Sequence, residues 1–275
     1  MNKYSLFLQA PKTKIGMFII CFLLAMAILA PIICPGNPLF SVDQPLLPPS
    51  SAHYFGTDDI GADVFVQVVW GSRVSIFIAF CSAGISLILG TLLGSIAGYA
   101  GGTVDNILSR FFEMFYTIPR TFLAILLVAI FGSSISLVML VIGLTIWPSN
   151  AKLMRAQVLS LKKRDYVDAA KITGGSGAAI LFAHIIPNSI GPVLSNSTLQ
   201  MAQAVLTEAS ISFLGLGDPN LASWGKLLQA GQKHISSAPW LVVIPGIFIA
   251  LLILSFNFIS ESLNENLSLR RYDTV

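Results

Sequence analysis

Residues Val74–Val104 read VSIFIAFCSAGISLILGTLLGSIAGYAGGTV, 31 positions without an Asp, Glu, Lys or Arg. A helix crosses the hydrocarbon core of a bilayer with ~20 mostly apolar residues. Four further stretches are equally free of charge and comparably long: Ile15–Val42, Thr121–Ala151, Ile172–Thr207 and His234–Ser260. A water-soluble helix of such length would carry charges along one face. The chain is therefore expected to be an all-α polytopic membrane protein.

Composition agrees. Hydrophobic residues make up 55% and charged residues 11% of the 275 positions, and mean hydropathy is +0.79. Ordinary soluble domains carry about twice that charge. A net charge of +3 is too small to suggest a nucleic-acid partner, and membrane lipid is the expected surroundings. Cys21, Cys34 and Cys81 stand in apolar runs without metal spacing and are expected to be buried free thiols. His53, His184 and His234 fit no metal-binding pattern.

Six spans are predicted, at residues 15–34, 74–99, 104–130, 135–159, 188–214 and 239–263. The first is too long for a secretion signal and is expected to remain as an anchor. With the N-terminus in the cytoplasm, 13 of the 16 basic residues fall inside, and only Arg73, Lys226 and Lys233 fall outside. Cytoplasmic loops are enriched in Lys and Arg, so this is the expected orientation, with both termini inside. The chain then divides into a cytoplasmic N-terminus (1–14), a first span (15–34), an outer loop (35–72), a five-helix core (73–263) and a cytoplasmic tail (264–275). Within the core, the largest inner segment covers residues 160–187.

That inner segment reads SLKKRDYVDAAKITGGSGAAILFAHIIP. Residues 162–171 favour a short helix, Gly174 a stop, and residues 178–184 a second short helix before Pro187 opens the next span. Gly accepts the left-handed conformation that ends helices at low cost. A helix–turn–helix knob is expected, and a plain connector remains the alternative.

The pattern Asp168-Ala169-Ala170-x3-Gly174-x9-His184-Ile185-Ile186-Pro187 resembles the EAA loop of ABC-importer permeases, with Asp168 for Glu and Ile186 for Leu. Three more blocks narrow the resemblance. They are His53-Tyr-Phe-Gly56-Thr57-Asp58-x2-Gly61-x-Asp63 with Gly71-Ser-Arg73-Val-Ser75; Glu208-Ala-Ser-Ile-Ser212-Phe213-Leu214-Gly215-Leu216-Gly217 with Ser223-Trp224-Gly225; and Pro245-Gly246 with Phe256-Asn257. Together they resemble the C-type subunit of dipeptide, oligopeptide and nickel importers from His53 to Asn257. Ala62 stands where that family usually has Arg, Ser260-Glu261 replaces a frequent Gly-Asp, and Arg120 is an unusual charge near the inner end of the third span.

The resemblance implies a type I ABC importer fold and a permease subunit that moves di- or oligopeptides inward, with nickel or a metal chelate as the alternative cargo. It implies four kinds of partner: a second homologous permease, two ATPase subunits, an extracytoplasmic solute-binding protein, and lipid. No GxxxxGK[ST] phosphate loop occurs, so the chain is not expected to be an enzyme or to bind a cofactor itself. ATP and Mg are expected on the ATPase subunits. Asp168, Ala169, Ala170 and Gly174 are the expected ATPase contact: two small side chains for close approach, an acceptor, and a turn.

Glu208, at membrane depth, either lines the substrate pathway or pairs structurally. Asp58 and Asp59 either bind a delivered cation or belong to a packed outer cover, and Thr57-Asp58 suits a helix cap. Arg73 either anchors to headgroups or pairs with an outer Asp. Gly90, Gly94 and Gly98 form a ridge for helix contacts. A secondary transporter would call for intramembrane acids at broken helices and inverted repeats. An intramembrane enzyme would call for a catalytic or metal set. The sequence displays neither.

Overall fold

The computed structural model describes residues 11–272, with side chains to residue 266. Expectations that fall on residues 1–10, on 273–275, or on the side chains of Arg270 and Arg271 lie outside the described residues.

Among the described residues, ten α-helices run in the order α1 (Pro11–Ile33), α2 (Val64–Ala100), α3 (Gly102–Thr117), α4 (Arg120–Phe131), α5 (Ile135–Leu161), α6 (Asp165–Ile172), α7 (Gly177–Ile180), α8 (Ile186–Phe213), α9 (Trp224–Gly231) and α10 (Trp240–Tyr272). Among the described residues there is no strand, only an isolated bridge between Thr57 and Asp63. Five of these helical segments are long and apolar enough to cross a membrane, and six if α3 and α4 count as one broken span.

The second span starts earlier than its charge-free run. Asp63 caps α2, its Oδ1 accepting from the amides of Phe65 (2.8 Å) and Val66 (3.2 Å). This satisfies N–H groups that have no partner within the helix. Asp63, rather than Thr57-Asp58, is thus the cap. At 37 residues, α2 is ~55 Å long and projects well beyond a 30 Å hydrocarbon core.

The third span is not the single helix expected over 104–130. α3 and α4 meet at 83°. Pro119 lacks an N–H and forces its predecessor out of the helical region; Ile118 is extended (φ −91°, ψ 129°). α3 leaves the inner end of α2, and α4 ends at Gly132, beside the α5 start, where Ile135 N donates to Asp218 of the outer loop (3.1 Å). The pair therefore runs from one end of α2 to the start of α5 in two pieces, bent at Pro119.

Tight packing holds α2 to α5. A Cβ added at Gly90, Gly94 or Gly98 would overlap Asn150, Ala151 or Arg155 and Val158 of α5, so the glycine ridge serves this chain's own fold. Small residues let helices approach where lipid offers no hydrophobic driving force. A buried polar cluster adds α8. The Asn150 amide nitrogen reaches Ser86 (3.1 Å), Ser197 (3.0 Å) and the Gln200 Oε1 (2.9 Å), and Gln200 Nε2 donates to the Ile146 carbonyl (3.0 Å). Such bonds average ~0.6 kcal/mol each in membrane proteins. Their number makes α2, α5 and α8 one unit.

The outer loop forms a packed cover. Buried Asp58 accepts from the amides of Ile60 (3.0 Å) and Ala62 (2.8 Å) and from Gln67 Nε2 (2.5 Å). Its carboxylate is thereby committed to the fold. His53 bridges Asp63 (Nδ1, 2.8 Å) and Asp43 (Nε2, 3.3 Å). Arg73 lies over the Trp70 ring (5.1 Å) and makes no ion pair among the described residues. Of the three thiols only Cys34 is fully buried; Cys81 is half-buried and Cys21 exposed on α1, because a helix in lipid turns an apolar face outward.

Candidate functional site: an inner spur and a polar mid-membrane face

The inner segment folds as a spur on the ends of α2 and α5. One face of α6 is buried through Val167, which joins Met154, Val158, Ile180, Leu181 and Ile185 in an apolar cluster. Lys162 donates to the Tyr99 carbonyl and lies over its ring, tying the spur's root to α2. α6 then ends in a Schellman turn: Gly174 N donates to Lys171 O and Gly175 N to Ala170 O, both at 3.0 Å. Gly174 occupies the left-handed position at φ +85°. Downstream, α7 does not stop before the span. It continues through a π-turn (Leu181–Ile185) into α8, so residues 177–213 form one uninterrupted rod.

Of the four expected contact residues, Asp168, Ala169 and Gly174 are exposed and Ala170 is half-buried. Asp168 accepts from Lys171 Nζ (2.7 Å) and does not cap its own helix, whose N-terminus has no side-chain cap. The spur also exposes apolar side chains that the sequence reading did not single out: Tyr166, Phe182 and, at 86% exposure, Ile172.

Glu208 lies inside the fold, 2% exposed. Its Oε1 accepts from Ser212 (2.7 Å), Ser223 is its other polar neighbour, and Oε2 has no hydrogen bond of good geometry among the described residues. A cavity of about 10 Å³ beside it is bounded by α2, α5 and the loop after α8. That is room for about one water.

The exposed polar face of α8 lies elsewhere. Asn196, Gln203, Thr207 and Ser210 follow one another at helical intervals, two turns apart and then one, and all are half-buried or exposed. That spacing places them on one face. Leu199 takes the turn between Asn196 and Gln203, so the polar stripe has one apolar gap. Arg120, the first residue of α4, extends to this face and donates from Nη1 to Gln203 Oε1 (3.2 Å). Gln203 lies about 5 Å along the axis from the midpoint of α8. Arg120 therefore lies level with the middle turns of α8 and α5, because the break at Pro119 ends α3 partway along those helices. Lys152, on α5, approaches the same place: its Nζ is 4.0 Å from the Tyr116 ring centroid, and Arg120 Cζ is 5.8 Å from it. At the outer end, a cavity of about 610 Å³ is lined by Asn37, Trp70, Arg73, Phe77 and Asn220 among others. The sequence expectation counts Arg120 and Lys152 among the inner charges; the fold adds that both meet at Tyr116 beside the break. The available signal was a Pro-Arg pair opening a charge-free run.

Membrane-length helices, a polar face at mid-depth and an exposed helical spur together define an integral membrane transport subunit. Residues 90–270 match the family described as binding-protein-dependent transport system inner membrane component, and the chain belongs to that family. The dipeptide transport system permease protein DppC of Alkalihalophilus pseudofirmus is 38% identical over 95% of this chain and 88% of its own length. The oligopeptide transport system permease protein OppC of Bacillus subtilis is 36% identical over 92% of this chain and 84% of its own length. In fold, the chain matches a chain of the inward-facing MetNI methionine ABC transporter with TM-score 0.59 at 16% identity, over 74% of this chain and 97% of that one. The expected ABC-importer permease fold and kinship with dipeptide and oligopeptide permeases are thus met.

Proposed function

We propose that this chain is a permease subunit of an ATP-driven importer that carries di- or oligopeptides into the cytoplasm. Its chief support is the likeness, over nearly the whole chain, to permeases named for dipeptide and oligopeptide transport. The outer cavity, the polar face of α8 and the inner spur suit entry, passage and energy input in that order. A second permease would close the passage, and an extracytoplasmic binding protein would deliver the solute. Two ATPase subunits, holding ATP and Mg, would press on Asp168, Ala169, Ala170 and Gly174. The apolar side chains of Tyr166, Ile172 and Phe182 widen this contact, because exposed apolar patches mark interaction surfaces. The chain would lie in the cytoplasmic membrane with both termini inside, and would not itself hydrolyse ATP.

The test is uptake of a labelled dipeptide and of labelled nickel by cells lacking this chain, with and without its gene restored. Peptide uptake should disappear and return with the gene, and nickel uptake should not change. If nickel uptake alone followed the gene, the cargo assignment would be wrong.

A further inference from the structure

We propose that Arg120 and Lys152, gathered around Tyr116 where the third span breaks, form a mid-membrane station for a carboxylate of the transported solute. Resting on the peptide-import reading, the inference identifies that group as the peptide's C-terminal carboxylate.

Depth is the first argument. α5 and α8 are each ~40 Å long, and Lys152 and Gln203 lie only ~5–6 Å from their midpoints. A cation held there is costly unless it has water or a counter-charge, and such residues face cavities or pathways. Neither Arg120 nor Lys152 has a carboxylate partner among the described residues, whereas Arg155, three residues beyond Lys152, is paired with Asp105. The fold neutralises one α5 cation and leaves the next without an acid.

Orientation is the second. Both cations are exposed; Arg120 reaches the polar stripe of α8 through Gln203, and Lys152 stands one turn from Ser149, which accepts from Asn196 of that stripe. Arg120, Tyr116, Ile146, Pro148 and Ser149 are among the lining of a small notch of about 10 Å³ there, and Lys152 borders it through the Tyr116 ring. Gln203 and the Tyr116 ring hold the guanidinium in place, which leaves most of its five donors free. A cation–π contact adds to such positioning.

Backbone polarity is the third. α4 starts at Arg120 without a side-chain cap. Its first N–H groups therefore add positive potential at the same level. Two cations and a helix N-terminus favour an anionic group and repel a bare divalent metal ion. The solute is recognised by a feature every peptide shares, so the station discriminates by charge and not by side chain.

The test uses the full complex in vesicles, with this chain, its partner permease, the ATPases and the binding protein. The substrates are a dipeptide and its C-terminal amide, a pair first shown to be held by the binding protein. Each variant's uptake of either peptide is divided by the wild-type value, which cancels the binding protein's own preference. Charge-assisted hydrogen bonds of ~1.5–3 kcal/mol correspond to roughly 10–100-fold. Arg120→Gln should therefore lower the acid-to-amide ratio at least about tenfold, Lys152→Gln should lower it in the same direction, and Arg120→Lys should restore part of it. Equal losses for both peptides from an intact complex would overturn the proposal. So would dissociation of the two permeases in Arg120→Gln, which would assign the guanidinium to an acid of the neighbouring subunit. If the wild type carried neither peptide, the import reading itself would fail and the ligand assignment with it.

Discussion

The outer cover and the inner spur differ in what they leave unsatisfied. In the cover, Asp58 and Asp63 accept from named amides, His53 bridges two carboxylates, and Gly56 and Gly61 take left-handed turns against their own chain. The spur buries only one side of α6, through Val167, and turns Tyr166 and Ile172 to the outside. A surface that is complete within one chain is a lid. A surface with exposed apolar side chains on a stiff helical mount is a contact in waiting. Both regions join membrane rods, so the contrast comes from local chemistry and not from position.

Gly174→Pro is the strongest way to break that contrast. Proline holds φ near −65°, whereas Gly174 sits at +85° and donates to Lys171 O. Uptake should fall to background while membrane insertion, followed by protease protection, stays intact. Wild-type transport in this variant would show that the spur transmits nothing.

Gly61→Val attacks the other region. The residue lies at φ +81° and a Cβ there would overlap the Asp43 carbonyl. A left-handed β-branched residue alone costs ~1–2 kcal/mol, and the overlap adds to it. The cover should open to external protease, with the spur's own susceptibility unaltered.

Ile172→Ser sharpens the comparison. A side chain that is 86% exposed stabilises its own chain little, so the thermal midpoint of the isolated permease should shift by less than about 1 °C. Affinity for the ATPase subunit, measured by calorimetry, should drop by about tenfold, the effect of losing ~1.4 kcal/mol at an interface. An unchanged affinity would move the contact elsewhere.

pH separates the regions more gently. Hydrogen bonding to Asp63, then to Asp43, raises the His53 pKa above its ordinary value of ~6.5. The backbone amide of Gln44, then His53, lowers that of Asp43 below the usual carboxylate value. A raised histidine stabilises fully below ~6.5 and loses its effect as pH rises through the folded pKa. A lowered carboxylate stabilises above ~3.9 and fails as pH falls through its own folded value. The clamp is thus complete between about pH 4 and 6.5. Hydrogen exchange over residues 43–63, corrected for intrinsic rates, should quicken toward alkaline pH, and His53→Gln should remove that dependence.

The smallest effect belongs to Asp168→Asn. Its pair with Lys171 is solvent-exposed and i,i+3, worth ~0.3–0.5 kcal/mol at most. Stability should hardly move. A loss of coupled ATP turnover would then reflect a partner, and no loss would leave Asp168 as solvated surface.

What could be read in advance follows the same divide. The spans at 15–34, 135–159, 188–214 and 239–263 match α1, α5, α8 and α10 to within a few residues at most ends, because long charge-free runs leave the chain no other environment. The α10 end departs further, running to Tyr272. The Gly174 turn was also legible, since a left-handed stop demands that residue. The break at Pro119 was harder to read, because proline bends some spans and is absorbed by others: Pro148 lies inside an unbroken α5. Asp63 was hidden by the acids around it.

From composition and charge spacing alone came the membrane class and all the rods but the broken third, since transfer free energy depends on which residues are present and not on their neighbours; the spur between the fourth and fifth rods needed the glycine stop and the family resemblance as well. Only the folded chain decided that Glu208 is enclosed, that the glycine ridge packs inwardly on α5, and that Arg120 reaches Gln203 at mid-depth. Those outcomes turn on which helix faces meet, and facing is a property of pairs of segments far apart in sequence.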